Sequence, residues 1–167
     1  MPDPSHRGAV QAAVLFLVLA PQGRAQNKPE STTGDTEVSG TFAPGGPPSG
    51  QPVRIDAGGS CVIDLRQDYD MSGTLSGSLE IDYRILVYGP CEVPPVLGKH
   101  DEQWIAYGRF SVEADGVASS GTLTYTARVR AGGDVVGRMV LRGSMNGTLA
   151  VSGNFADGRL SYRGRVN

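Results

Sequence analysis

The chain has 167 residues, of which 39% are hydrophobic and 19% charged, with a formal net charge of −2. No gross polarity points to nucleic acid, and the length suits one domain able to bury a core of its own. The two cysteines form no Cys-x-x-Cys pair, which leaves a zinc reading without its ligand set.

Residues 1–25 read as a secretory signal. His6 and Arg7 give a weakly basic start, Ala9 to Ala20 is an uncharged and mostly apolar run, and Gly23-Arg24-Ala25 sets small residues where a signal peptidase cuts. The run falls short of the ~20 residues that a membrane-spanning helix needs, so a cleaved signal is favoured and the expected location is secreted or periplasmic, with no membrane span in the mature protein. Residues 26–52 are dense in Pro, Gly, Ser and Thr, most of all from Ala43 to Gly50, and read as a disordered leader. That leaves 53–167 as the folded domain.

Val53 to Ala57 and Ser60 to Arg66, around Gly58-Gly59, predict a hairpin. From Gly73 to Tyr88 the residues Leu75, Gly77, Leu79, Ile81, Tyr83, Ile85 and Val87 alternate with Thr74, Ser76, Ser78, Glu80, Asp82 and Arg84, which a strand sorts onto two faces. Trp104, Ala106, Gly108, Phe110 and Val112 repeat the pattern, as do Leu123, Tyr125, Ala127 and Val129 against Thr122, Thr124, Thr126, Arg128 and Arg130. Later runs add Val135, Met139 and Leu141, then Leu149, Val151 and Phe155, then Leu160, Tyr162 and Val166. Asp115-Gly116, Gly132-Gly133, Asn146-Gly147 and Asp157-Gly158 are suited to tight connections. The mature chain has no helical period, so closure is the remaining way to bury one face. Glycines 77, 108, 137, 153 and 164 on that face permit tight curvature. The expected fold is all-β, a single antiparallel up-and-down barrel of about eight strands.

Cys61 and Cys91 are expected to form a disulfide, since an exported chain meets an oxidising compartment. The bridge would fasten the long connection from Gly89 to Gln103, a candidate lid, to an early strand. Within that connection His100-Asp101-Glu102 reads as an exposed polar segment without the spacing of a metal site. Charge is uneven: residues 26 to 115 hold 6 basic and 14 acidic groups, whereas residues 116 to 167 hold seven arginines and two acids. Either late arginines pair with early carboxylates across strands, or they form an anion-binding or self-associating stripe.

Ser72-Gly73-Thr74-Leu75-Ser76-Gly77-Ser78-Leu79, Tyr107-Gly108-Arg109-Phe110 and the glycine-rich run from Gly143 to Gly164 resemble the small bacterial barrels of the allene oxide cyclase barrel-like superfamily, over roughly residues 60 to 166. The resemblance implies a lipocalin-like hydrophobic cavity and, in some members, a cyclase or isomerase whose pocket shapes its substrate. No catalytic residue of those cyclases maps onto a position here.

The predicted inward face carries no His, Asp, Glu, Lys or Arg. It offers the hydroxyls of Tyr83, Tyr125 and Tyr162, the indole of Trp104, the ring of Phe110 and the thioether of Met139. Such a lining argues against hydrolysis, which needs a titratable acid or base, and no cofactor motif is present. It suits a small apolar molecule oriented by tyrosine hydroxyls. The alternatives are a cyclase or isomerase on the same barrel, a filled structural or interaction barrel, or an outer-membrane barrel with its faces inverted. A homo-oligomer through the charged outer face is a further expectation.

Overall fold

The computed structural model describes residues 34–167. The expected signal, 1–25, and the first part of the expected leader lie outside the described residues. Nine antiparallel strands follow one another: β1 (Thr36–Pro44), β2 (Ser49–Asp56), β3 (Cys61–Gly73), β4 (Ser76–Val87), β5 (Glu102–Ala114), β6 (Val117–Val129), β7 (Asp134–Gly143), β8 (Gly147–Asn154) and β9 (Arg159–Val166). β3 to β9 form a meander in which each strand pairs with the next. β1 pairs with β9 on one side and with β3 on the other, which closes eight strands into a barrel. Among the described residues β2 pairs only with β3, and it stands outside the closed ring as a ninth strand.

β1 and the start of β2 fall inside the segment expected to be a disordered leader, so that expectation is corrected for Thr36 onward. Composition misleads here because β1 needs little side-chain burial of its own. Val38 and Phe42 point into the core, and the backbone is hydrogen-bonded along both edges. A two-sided ladder offsets the ordering entropy that a Pro/Gly/Thr-rich segment otherwise cannot recover. β3 is also longer than expected. Beyond Arg66 it continues through Gln67, Tyr69 and Met71, which alternate with Asp68 and Asp70.

The alternation sorts as the period requires. Leu75, Leu79, Ile81, Leu123, Val129, Leu141, Leu149 and Val151 are buried in one cluster, while Glu80, Arg128, Arg130 and Arg142 lie on the outer surface. Apolar side chains therefore face inward and charges outward, the reverse of a lipid-facing barrel. At Asp115-Gly116 both residues have positive φ, 51° and 79°, the conformation of the two-residue turn whose twist matches the strands it joins.

Inward glycines let neighbouring strands come close. A β-carbon built on Gly108 would lie 2.0 Å from the carbonyl oxygen of Glu80 on β4. Gly108→Ala should therefore cost about 3 kcal/mol or more by forcing backbone apart. Gly46→Ala, in open space at a turn, should stay within about 0.5 kcal/mol of the parent. Urea unfolding of the two variants checks this; equal midpoints would mean that strand approach at Gly108 is unimportant.

Candidate functional site

The six inward residues expected to meet a ligand are all at most 4% exposed, and Tyr125 and Met139 have no exposed surface. A side chain lining an open, water-sized space would keep accessible surface. Here other side chains occupy it. Tyr83, Trp104 and Tyr125 stack edge to face with ring centroids 5.4 to 6.3 Å apart, and the array continues through Tyr69 to Phe42. Such aromatic contacts contribute roughly 0.5–1.5 kcal/mol each beyond the area they bury.

The three tyrosine hydroxyls have separate surroundings. Tyr83 donates to the hydroxyl of Tyr69 at 3.0 Å. Tyr162 lies away from the aromatic array, its ring crossing Gly40 on β1. Its hydroxyl accepts the Leu75 N–H at 2.9 Å, and the carbonyls of Leu75 and Ser72 lie at 3.1 and 3.2 Å. It pins the β3–β4 turn. Of the three, Tyr125 alone has a buried hydroxyl without a partner among the described residues. Burial raises the pKa of both Tyr83 and Tyr125 and keeps them neutral.

The connection between β4 and β5 covers one mouth of the barrel. Cys91 is bonded to Cys61 at the start of β3, and Leu97 packs on the core. Gly98 accepts the Gly132 N–H at 2.9 Å, and Ala131 N–H donates to the Asp101 carboxylate at 2.9 Å. Phe155, in the short 3-10 turn Phe155–Asp157, lies over both Gly98 and Trp104. The segment is thus tied to three neighbouring turns and strands.

Glu102 corrects the expectation of an exposed polar segment and of an inward face without a carboxylate. β5 begins at Glu102, two residues before Trp104 and on the same face, and the side chain is 2% exposed. One carboxylate oxygen accepts the Gly98 N–H at 2.5 Å and the other accepts the Trp104 indole N–H at 2.7 Å. Burial raises its pKa and these two donors oppose the rise. His100 is half-buried, its ring against Gly89 and its Nε2 3.7 Å from a Glu92 oxygen, too far for a good hydrogen bond.

On the outer surface the early carboxylates pair with one of the seven late arginines among the described residues. Arg165 pairs with Glu37 at 3.1 Å, whereas among the described residues the other six have no carboxylate oxygen within 4.0 Å. Strand register places Arg138 and Arg163 on either side of Ala150, and Arg165 beside Thr148. A shallow concavity of about 540 Å³ lies there, with Gly147, Thr148, Ala150 and Gly164 in its lining and Arg142, Arg163, Arg165 and the carboxylate of Asp35 around them. The early half forms its own pairs, Arg84 to Asp64 through two bonds of 2.8 and 2.9 Å and Arg66 to Glu80 at 2.8 Å.

Two outcomes test the covered mouth. Removing the Cys61–Cys91 bridge by Cys→Ala at both positions should cost ~3 to 4 kcal/mol, from the entropy of a 30-residue loop, read as a shift in urea midpoint. Glu102 has a folded pKa above its ordinary value of 4.5, so its contribution to stability is full below about that pH and declines as pH rises through the raised value. Glu102→Gln should therefore flatten stability against pH from about 4.5 upward. It should also cost ~1–3 kcal/mol, because the amide NH2, a donor, would take the place of one of the two oxygens that accept these N–H groups. An unchanged pH profile would show that Glu102 does not titrate in this window.

No protein-family model and no curated protein matches the chain.

Proposed function

We propose that this chain is an exported interaction barrel: a filled scaffold, held at one mouth by a disulfide, that meets its partner with its outer surface. The observation that carries the reading is the inward face itself, where Leu79, Ile81, Tyr125, Met139 and Leu149 have no accessible surface. A ligand would have to displace packed side chains. The surface with unsatisfied chemistry is the arginine face of β7 to β9.

Neighbouring strands lie ~4.8 Å apart, so Arg138 and Arg163, two strands apart, can both reach one phosphate, sulfate or carboxylate group above Ala150. Guanidinium groups bind such anions through paired N–H donors. The partner class is an anionic polymer or surface bearing closely spaced anions. Titration with inorganic polyphosphate should show binding that weakens as salt rises past about 0.15 M, where charges beyond roughly 8 Å are screened. Arg138→Glu with Arg163→Glu should abolish it. Binding unaffected by the double change would place the contact elsewhere.

One observation favours a second reading, an apolar ligand inside the barrel: the buried Tyr125 hydroxyl has no hydrogen-bond partner among the described residues. A ligand carbonyl or hydroxyl would satisfy it, and the cyclase or isomerase that the family resemblance implies would need the same opened lumen. Under the filled-barrel reading Tyr125→Phe removes an unsatisfied group and should leave stability unchanged or raise it by up to ~1–3 kcal/mol, with no saturable binding of a fluorescent apolar probe. Saturable probe binding lost on Tyr125→Phe would reverse the order of the two readings.

A further inference from the structure

Among the described residues β2 ends the strand order with one edge free of any ladder partner, and its side chains are almost all exposed. Which groups face that edge follows from the turn beside it. Ala57 N–H bonds the Ser60 carbonyl across Gly58-Gly59, so residues 57 and 60 form a hydrogen-bonded pair, and two-residue steps along the register make Ile55–Val62 and Val53–Asp64 pairs of the same kind. The backbone N–H and C=O of Val53 and Ile55 are therefore spent on β3. Those of Arg54 and Asp56 point to the open edge. Pro52, at the register shift just before Val53, has no N–H to offer.

We infer that this edge pairs with the same edge of a second copy, antiparallel, about a two-fold axis at Ile55. The side chains select the register. Centring the pair on Arg54 or Asp56 sets like charges opposite each other, and centring it on Val53 sets Arg54 against Pro52, which cannot donate. Centring it on Ile55 sets Arg54 against Asp56 of the other copy, twice by symmetry, and these are the residues whose backbone groups face outward. Each Arg54–Asp56 pair then makes two backbone hydrogen bonds and one ion pair. The bonds already present leave room for this: Asp56 Oδ1 accepts the Gly58 N–H and Arg54 Nη1 donates to the Glu92 carbonyl, so the second carboxylate oxygen and the remaining guanidinium donors are available.

The opposite face gains as well. Val53 and Ile55, 58% and 51% exposed, lie on the outer surface; Val62 and Leu86 follow Ile55 along its row, and Asp64, Arg84 and then Ile105 follow Val53 along the next. A two-fold at Ile55 brings Ile55 of both copies together and sets Val53 against Ala57 of the other. Proline and charge on an edge strand keep unrelated strands away. Here the charge order admits one partner, its own antiparallel copy. The paired segment is short, so the dimer is weak and depends on concentration. The inference is independent of the arginine face.

Analytical ultracentrifugation of the purified protein from about 1 to 500 µM should show a monomer passing to a dimer, in the range expected of a small interface. Arg54→Asp should remove the dimer, and Arg54→Asp combined with Asp56→Arg should restore it, since the exchanged charges still face each other. In the proposed register the two Ile55 residues form a non-hydrogen-bonded pair with Cα atoms ~4.5 Å apart, within disulfide reach. Ile55→Cys should therefore give a covalent dimer on oxidation, while Val136→Cys, exposed on β7, should not. A wild-type chain that stays monomeric across the range, or a dimer that persists after Arg54→Asp, overturns the inference. Crosslinking at Val136 as efficient as at Ile55 also overturns it.

Discussion

Closure by β1 is the constraint on which the rest of the molecule depends. The meander from β3 to β9 would otherwise leave two open edges and an apolar face without cover, and β1 satisfies both edges at once. Tyr162 fixes this arrangement from within. It sits on β9, its ring fills the space that Gly40 leaves on β1, and its hydroxyl holds the turn joining β3 and β4. One side chain thus ties together the elements that meet at the seam. This is why a tyrosine with a hydroxyl suited to a ligand is consumed by structure.

With the ring closed, side-chain volume decides what the interior can do. Eight strands enclose a space that side chains can fill or that can hold one small ligand. Here the aromatic array from Phe42 to Tyr125 crosses the interior. At the covered mouth the chain accepts a buried carboxylate to fasten a segment that has few apolar residues of its own. Glu102 serves two donors that would otherwise be buried without partners, the Gly98 amide and the Trp104 indole, so its desolvation is offset where the segment needs an anchor.

Much of this was legible in the sequence. A period of two over long strands leaves one choice of inward face, and Leu79, Ile81, Leu123 and Leu141 follow it into the core. The paired cysteines were legible from the expectation of export and from their even count. β1 was not, because Val38, Gly40 and Phe42 form too thin an apolar row within a stretch rich in Pro, Gly and Thr, and its order comes from backbone ladders that composition does not register. Glu102 was hidden for a different reason. It follows His100 and Asp101 in a polar run, and only its parity with Trp104 marks it as inward. The arginine stripe was visible as composition, but that Arg165 alone of the seven has a carboxylate partner among the described residues depends on which strands become neighbours. β9 meets β1 and β8, and the acids of β3 and β4 lie on another part of the ring.

The seam and the open edge have one origin. β1 and β2 both run antiparallel to β3, and together they track its length: Gly40 faces Gly73, Pro44 faces Tyr69, Ser49 faces Arg66 and Asp56 faces Cys61. They behave as one long strand interrupted by the bend at residues 45 to 48 and by a register shift between Ser49 and Val53. Before the bend the outer edge of this strand is taken by β9. Past it, β9 has ended at Arg159, and among the described residues β2 is left with β3 alone. A ring closed by a strand longer than its neighbour must leave the surplus with a free edge. In this chain the surplus carries a proline and an opposed pair of charges, the means by which an exposed edge is limited to few partners.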